Sequence, residues 1–247
     1  MPIISIANSK GGSAKTTLCT ALAVSLARAY RVAVIDADIN GTFTTWHRTA
    51  TAPPLTATAC PDHNQIVKHA YEQSEKHDIC LIDCAGFSNQ TAIFACGSSD
   101  LVLIPVTPDR GSVIEAKRTA GQVENVAQIA RREIPYRVVL SRWNPRGLAE
   151  RATLSDLEAA QLPHLKQHVP ALSAFSKASF SGDMPSTGFI GLMIVRLIEE
   201  IKGIGAFTFN AAKADTRDMA AKTSLPDKGH IPRMPNKRDA KAREDRP

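Results

Sequence analysis

Short apolar runs recur at Ile3–Ala7, Val32–Ile35, Ile79–Ile82, Leu101–Val106 and Val138–Leu140, each bounded by polar or turn-forming residues. The apolar positions within a run are continuous rather than alternating, as expected of strands covered on both faces. Between the runs the period lengthens to that of a helix. Leu18, Leu22 and Leu26 recur every four residues, with Ala and Val on the other sides, which predicts a helix that is apolar nearly all round and largely buried. A longer helix is predicted from Ser112 to about Arg131, with Val113, Ala116, Ala120 and Val123 on one face and Glu115, Lys117, Arg118 and Glu124 on the wet side. A third carries Ile190, Ile194, Leu197, Ile198 and Ile201 opposite Arg196, Glu199 and Glu200, and Gly203 and Gly205 offer its stop. Strand alternating with helix predicts right-handed crossovers and a doubly wound, mainly parallel α/β sheet flanked by helices.

The pattern fades after Gly205. Residues 206–247 are polar and include Pro226, Pro232, Pro235 and Pro247. From Phe207 onward ten basic side chains meet six acidic ones, so most of the chain's net charge of +6 lies there. The expected organisation is one domain over 1–205 and a flexible, basic, Pro-containing tail over 206–247. Such a tail points to a polyanionic partner, although a solubilising role has the same composition.

Composition narrows the class further. Aromatic residues make up only 5% of the chain against 43% apolar residues in all, so the core is expected to be aliphatic. No stretch approaches the roughly 18 uncharged apolar residues of a membrane span. The start of the chain lacks the charged and long apolar segments of a signal peptide. A cytoplasmic protein is therefore expected. Cys80 and Cys84 share a CxxxC spacing, but no His/Cys pair at zinc spacing completes it. Together with Cys19, Cys60 and Cys96 they are expected to be buried and reduced.

Candidate chemistry concentrates in Asn8-Ser9-Lys10-Gly11-Gly12-Ser13-Ala14-Lys15-Thr16-Thr17, which follows a predicted strand and opens a predicted helix. Gly11 and Gly12 let the backbone curl so that successive N–H groups converge on a polyphosphate. The helix start adds its positive dipole end and free amides. In such a loop Lys15 neutralises β- and γ-phosphate charge, and Thr16 offers its hydroxyl to Mg²⁺. The strict phosphate-loop pattern is not met, because Ser9 and Ala14 stand where its two glycines belong.

Two later runs end in carboxylates. Val32–Ile35 leads into Asp36-Ala37-Asp38, and Ile79–Ile82 leads into Asp83-Cys84-Ala85-Gly86. Carboxylates at strand C-terminal ends sit at the ligand crevice of a doubly wound sheet. Asp83 in this setting holds Mg²⁺ through a coordinated water. Asp residues at strand ends also simply cap the turn that follows, and the sequence leaves both readings open for Asp36 and Asp38.

These strings resemble the ParA/MinD family of P-loop ATPases, whose deviant Walker-A box reads KGGxGK[ST][ST]. The resemblance extends to Leu101–Val106 with Thr107-Pro108 and to Arg142-Trp143-Asn144-Pro145-Arg146, and it covers roughly residues 2 to 202. It implies that Lys10 is the signature lysine, which reaches the partner subunit's nucleotide in an ATP-bound dimer. It implies that residues from Gly11 through Ser13, Ala14, Lys15 and Thr16 to Thr17 bind the phosphates. By the same likeness Thr16, Asp36 and Asp83 serve the metal, Asp38 activates water, and Asn144 and Pro145 line the adenine pocket. No NKxD stretch follows, which favours ATP over GTP as the nucleotide, with Mg²⁺.

The chain departs from the family at Ala14, which stands at a glycine position, and at Ile39-Asn40-Gly41, where Pro-Gln is usual. An alanine forced to positive φ there would cost about 1 kcal/mol.

The resemblance further implies an ATPase that dimerises on ATP, binds DNA non-specifically and positions plasmid or chromosomal DNA with a ParB-like or other DNA-binding adaptor, at the nucleoid. A DNA-binding scaffold or conjugation factor with little turnover is the alternative. A MinD-type membrane regulator is disfavoured by the tail's prolines and its lack of an apolar face. Arg196 and Lys202 are candidates for a DNA-facing patch or, more simply, for a solvated helix face. A metabolic or redox relative is disfavoured by the placement of the cysteines and the absence of a substrate domain.

Overall fold

The computed structural model describes residues 1–86 and 89–205. In chain order the elements are β1 (Ile3–Ile6), α1 (Lys15–Leu26), β2 (Val32–Asp36), α2 (Thr42–Thr49), β3 (Thr56–Ala59), α3 (Ile66–Lys76), β4 (Ile79–Asp83), α4 (Gln90–Gly97), β5 (Leu101–Val106), α5 (Arg110–Ala130), β6 (Tyr136–Trp143), α6 (Leu148–Ala159), β7 (His164–Pro170), α7 (Ser173–Ser181) and α8 (Gly188–Lys202). Among the described residues the strands form one sheet in the order β3-β2-β4-β1-β5-β6-β7, and every pairing is parallel.

Burial follows from that arrangement. Every residue of β1, β2, β4 and β5 is buried, because helices cover both faces of a parallel sheet. Alternate residues go to opposite faces. Ile3, Ala33, Ile35, Ile82 and Ile104 pack with α3, α4, α5 and α6 on one side. Ile4, Ile6, Val34, Leu81 and Leu103 pack with α1, α2, α7 and α8 on the other. Each fully buried Ile or Leu contributes on the order of 1.5–3 kcal/mol relative to exposure. Helix α1 is buried at eight of its twelve positions, as its all-round apolar pattern predicts. All five cysteines are free and buried.

Two strands escaped the pattern. β3 is the polar segment Thr56–Ala59 at one edge, where Thr56 and Thr58 hydrogen-bond His77 and His69 at 2.9 and 2.8 Å. β7 lies at the other edge, and the Glu200 carboxylate accepts the Lys166 and Gln167 amides at 2.7 and 2.8 Å. Edge strands have only one strand neighbour, so long apolar runs are not required; in β7 the Glu200 carboxylate satisfies part of the free backbone, while in β3 the threonine side chains are paired instead. The predicted tail, 206–247, lies outside the described residues.

Candidate phosphate site at the strand ends

Strand β1 lies between β4 and β5, while the chain after it first departs to β2. The order therefore reverses around β1, and the crevice at its C-terminal end is where such sheets take ligands. Residues 7–14 fill that end. Asn8 is buried; its Nδ2 donates to Pro105 O at 2.7 Å and its Oδ1 accepts the Lys10 amide at 2.8 Å. Gly12 has φ +72°, and a side chain added at Gly11 or Gly12 would meet nothing within 4 Å. The two glycines thus leave an open concave stretch of backbone in front of α1.

Ala14 is the residue before α1 and sits at φ +69°, ψ +27°. The strain anticipated for a non-glycine at this place is real. The helix start has no side-chain cap and no acidic residue in its first turn, so its first amides keep their capacity for an anion. Ser13 is buried and its hydroxyl has no partner among the described residues.

Lys15 opens α1, and its ammonium donates to Lys10 O at 3.2 Å. Burial lowers its pKa, opposed by the nearby Asp83, Cys84 and Asp38. The ammonium is desolvated and has a single backbone acceptor.

The carboxylates divide by environment. Asp36 and Asp83 are register partners on β2 and β4. Asp36 Oδ2 accepts from the Thr44 amide and hydroxyl at 2.9 and 3.1 Å, and Oδ1 from the Asp38 amide at 3.3 Å. It therefore caps the first turn of α2, which is the turn-capping reading the sequence left open. Asp38 Oδ1 accepts both the main-chain and side-chain N–H of Asn40, at 2.9 and 2.8 Å.

Asp83 is buried, and neither of its oxygens has a hydrogen-bond partner among the described residues. Its pKa is pushed up to about 7, first by burial, with the Thr16 hydroxyl opposing, the Asp36 charge adding, Lys15 opposing and Asp38 adding. The Thr16 hydroxyl lies near enough to oppose the shift without meeting hydrogen-bond geometry. A buried, partnerless carboxylate is normally avoided. Asp83 and the nearby Thr16 hydroxyl are hard oxygen donors of the kind Mg²⁺ takes, and the Lys15 ammonium beside them is a countercharge for an anion rather than a metal ligand. No group of three or more metal-ligating side chains occurs among the described residues, and Mg²⁺ is ordinarily held by one or two carboxylates together with phosphates rather than by an all-protein cage.

Two cavities flank α1. One of about 640 Å³ runs from Ala14, Thr17 and Leu18 to Ser141, Arg142 and the 169–180 segment. The other, about 420 Å³, lies between Thr16, Thr17 and Thr20 and the α2 residues Thr42, Thr45, Trp46 and Thr49. Asn144 and Pro145 line neither. They border a separate hollow of about 470 Å³ with Trp143, His168 and Phe189, which shares Pro170, Ala171 and Leu172 with the larger cavity.

The structure thus gathers Lys15, Thr16, Asp38 and Asp83 at one place and sets Asn144 and Pro145 beyond a wall. It also brings in two residues the sequence reading passed over. Thr44 holds Asp36, and Asp109 holds Lys10 Nζ at 2.6 Å. The Asp109-to-Ser112 spacing at a helix start was the available signal for the second.

The chain belongs to the CobQ/CobB/MinD/ParA nucleotide-binding domain family, which it matches over residues 4–185. It is 26% identical over 147 residues to the protein ParA of Rhizobium radiobacter, covering 59% of this chain and 66% of that one. To maintenance of carboxysome distribution protein A of Halothiobacillus neapolitanus it is 26% identical over 189 residues, covering 72% and 84%. Among solved structures, Cyanothece McdA shares the fold in its nucleotide-free form, with a TM-score of 0.72 at 17% identity over 81% of this chain and 99% of that one. An ATP complex of a variant of the same protein gives 0.68 at 17% identity, over 85% and 98%. The match spans just under two thirds of the length of that Rhizobium radiobacter protein. No described helix is long and apolar enough to cross a membrane.

Proposed function

We propose that the chain is a Mg²⁺-dependent ATPase of the ParA kind, cytoplasmic and drawn to the nucleoid. It dimerises on ATP, binds DNA non-specifically and hydrolyses ATP to position or segregate plasmid or chromosomal DNA. The observation that carries this reading is Asp83, a buried carboxylate without a hydrogen-bond partner among the described residues, set beside Lys15 at the uncapped start of α1. A site so arranged is complete only with an anion and a cation added together. The relatives protein ParA and maintenance of carboxysome distribution protein A support the cargo-positioning part.

In this reading the amides from Gly11 through Ser13, Ala14, Lys15 and Thr16 to Thr17 bind the phosphates, and the Lys15 ammonium exchanges Lys10 O for phosphate oxygen. Thr16 and Asp83 hold Mg²⁺, with Asp36 supporting its shell from behind. When bound, the metal neutralises charge on the β- and γ-phosphates. Asp38 Oδ2, which accepts no hydrogen bond among the described residues, takes the proton of the attacking water as the bond from the γ-phosphorus to its bridging oxygen breaks, releasing ADP and phosphate. Lys10 serves the partner subunit's nucleotide. The adenine is placed toward Asn144 and Pro145, whose hollow adjoins the larger cavity beside α1 at Pro170, Ala171 and Leu172. Adaptor proteins of the ParB type are the expected stimulators.

Ala14 favours a second reading, a DNA-binding scaffold or conjugation factor that binds nucleotide and turns it over little. Its left-handed backbone is held at a strain of about 1 kcal/mol, and release of that strain need not follow the productive path. ATP consumption measured with and without DNA, alone and with the product of the neighbouring gene, separates the two. Turnover that rises with DNA supports the motor; bound ATP that persists unhydrolysed under all conditions leaves the scaffold. Failure to bind ATP removes both. Ending the chain after Gly205 tests the tail: weaker DNA binding with a flatter salt dependence marks it as the DNA arm, and an unchanged salt slope removes it.

A further inference from the structure

The Lys10 ammonium is engaged within its own subunit. Lys10 Nζ donates to Asp109 Oδ1 at 2.6 Å and to Ser112 Oγ at 3.0 Å. The Lys10 backbone is held as well: its amide donates to Asn8 Oδ1, and Asn8 Nδ2 in turn donates to Pro105 O at the end of β5. Lys10 O is also the acceptor for the Lys15 ammonium. The end of β5 and the start of α5 therefore grip both parts of Lys10, and the resting contact of Lys15 runs through the same residue.

Asp109 is itself tightly organised. Its Oδ1 accepts the Ser112 amide at 2.8 Å, which makes it the cap of α5. Its Oδ2 accepts from the Thr107 and Ser112 hydroxyls at 2.8 and 2.9 Å. Partial burial pushes its pKa up, but the bonds from Lys10, the Ser112 amide and the two hydroxyls outweigh that and hold the carboxyl well below the ordinary range. The cap is complete without the lysine, and an uncharged Asn or Ser would serve it about as well. The ion pair is thus an addition that capping does not require.

We infer that Asp109 is a positioning residue that holds Lys10 in its own subunit and must release it before Lys10 engages a second copy of the chain. This rests on the dimeric ATPase reading above. The pair is partly exposed, 32% for Lys10 and 42% for Asp109, so its strength is modest, on the order of a fivefold bias at most.

The test uses the full chain with Asp109→Asn and Asp109→Ser, both of which retain a capping oxygen. Without nucleotide, trace acetylation of Lys10 followed by peptide mass spectrometry should run about threefold faster in both variants; an unchanged rate overturns the contact. With Mg-ATP, sedimentation should show a dimer dissociation constant about fivefold lower, while monomer affinity for ATP stays as in wild type and the melting temperature falls by no more than about 3 °C. A dimer constant that is unchanged or higher, with Lys10 freed, overturns the positioning role. A wild-type chain that neither binds ATP nor dimerises brings down the ATPase reading and this inference with it, even where the acetylation rates differ.

Discussion

Asp36 and Asp83 are register partners at the ends of β2 and β4, yet their carboxylates are satisfied very differently. Asp36 accepts three hydrogen bonds, two of them from Thr44 at the start of α2. Asp83 accepts none. The strand ends place the two charges near each other, and Asp36 is one of the groups that raise the pKa of Asp83. One carboxylate is therefore tied to the scaffold, while the other has no partner among the described residues. That asymmetry underlies the first prediction.

With the pKa of Asp83 raised to about 7, the folded protein binds a proton that the unfolded chain has lost between about pH 4 and 7. The unfolded state then holds fewer protons, so stability falls as pH rises through that window and levels above it. Asp83→Asn removes the charge that burial penalises, though its amide is also left short of partners. Without nucleotide or Mg²⁺ the variant should melt higher than wild type at pH 8, by about 2 kcal/mol or roughly 5 °C. At pH 4.5 the advantage should vanish. Calorimetry at the two pH values checks this; equal melting temperatures at pH 8 would contradict the buried, partnerless carboxylate.

Lys15→Ala should abolish measurable ATP binding. The phosphates lose a desolvated countercharge, worth about 3 kcal/mol or more than a hundredfold in affinity. A titration with ATP and Mg²⁺ gives the answer, and wild-type affinity in the variant would refute the site.

Asp38→Ala should still bind ATP but accumulate as the dimer, because only acceptance of the water's proton is lost. Light scattering with ATP reads the outcome against the wild-type chain. A variant that stays monomeric while wild type dimerises would count against this role for Asp38.

Ala14→Gly relieves a left-handed alanine at φ +69°. The steric relief of about 1–2 kcal/mol is offset by the greater freedom of glycine in the unfolded chain. A net gain of about 0.5 kcal/mol, or roughly 1–2 °C in melting temperature, is expected. Faster ATP turnover in the same variant would show that the strain also slows hydrolysis, and a lower melting temperature would show that it is absent.

The fold was legible in outline because central parallel strands must be apolar on both faces, and Ile3–Ala7, Val32–Ile35, Ile79–Ile82 and Leu101–Val106 carry that demand in consecutive residues. The turn between β1 and α1 was legible because its geometry is local, and the curl at Gly11–Gly12 and the opening of α1 depend on residues adjacent in the chain. The edge strands β3 and β7 left little trace, since they lack apolar runs and are held by side chains from elsewhere: His69 and His77 on the threonines of β3, Glu200 on the backbone of β7. Asp36, Asp38 and Asp83 looked alike as acids at strand ends. Only tertiary structure gave Asp36 to Thr44, left Asp83 bare beside Lys15 and brought Asp109 to Lys10 from about a hundred residues away. Such pairings depend on which strand lies beside which, and strand order is settled by packing the whole sheet rather than by any one segment.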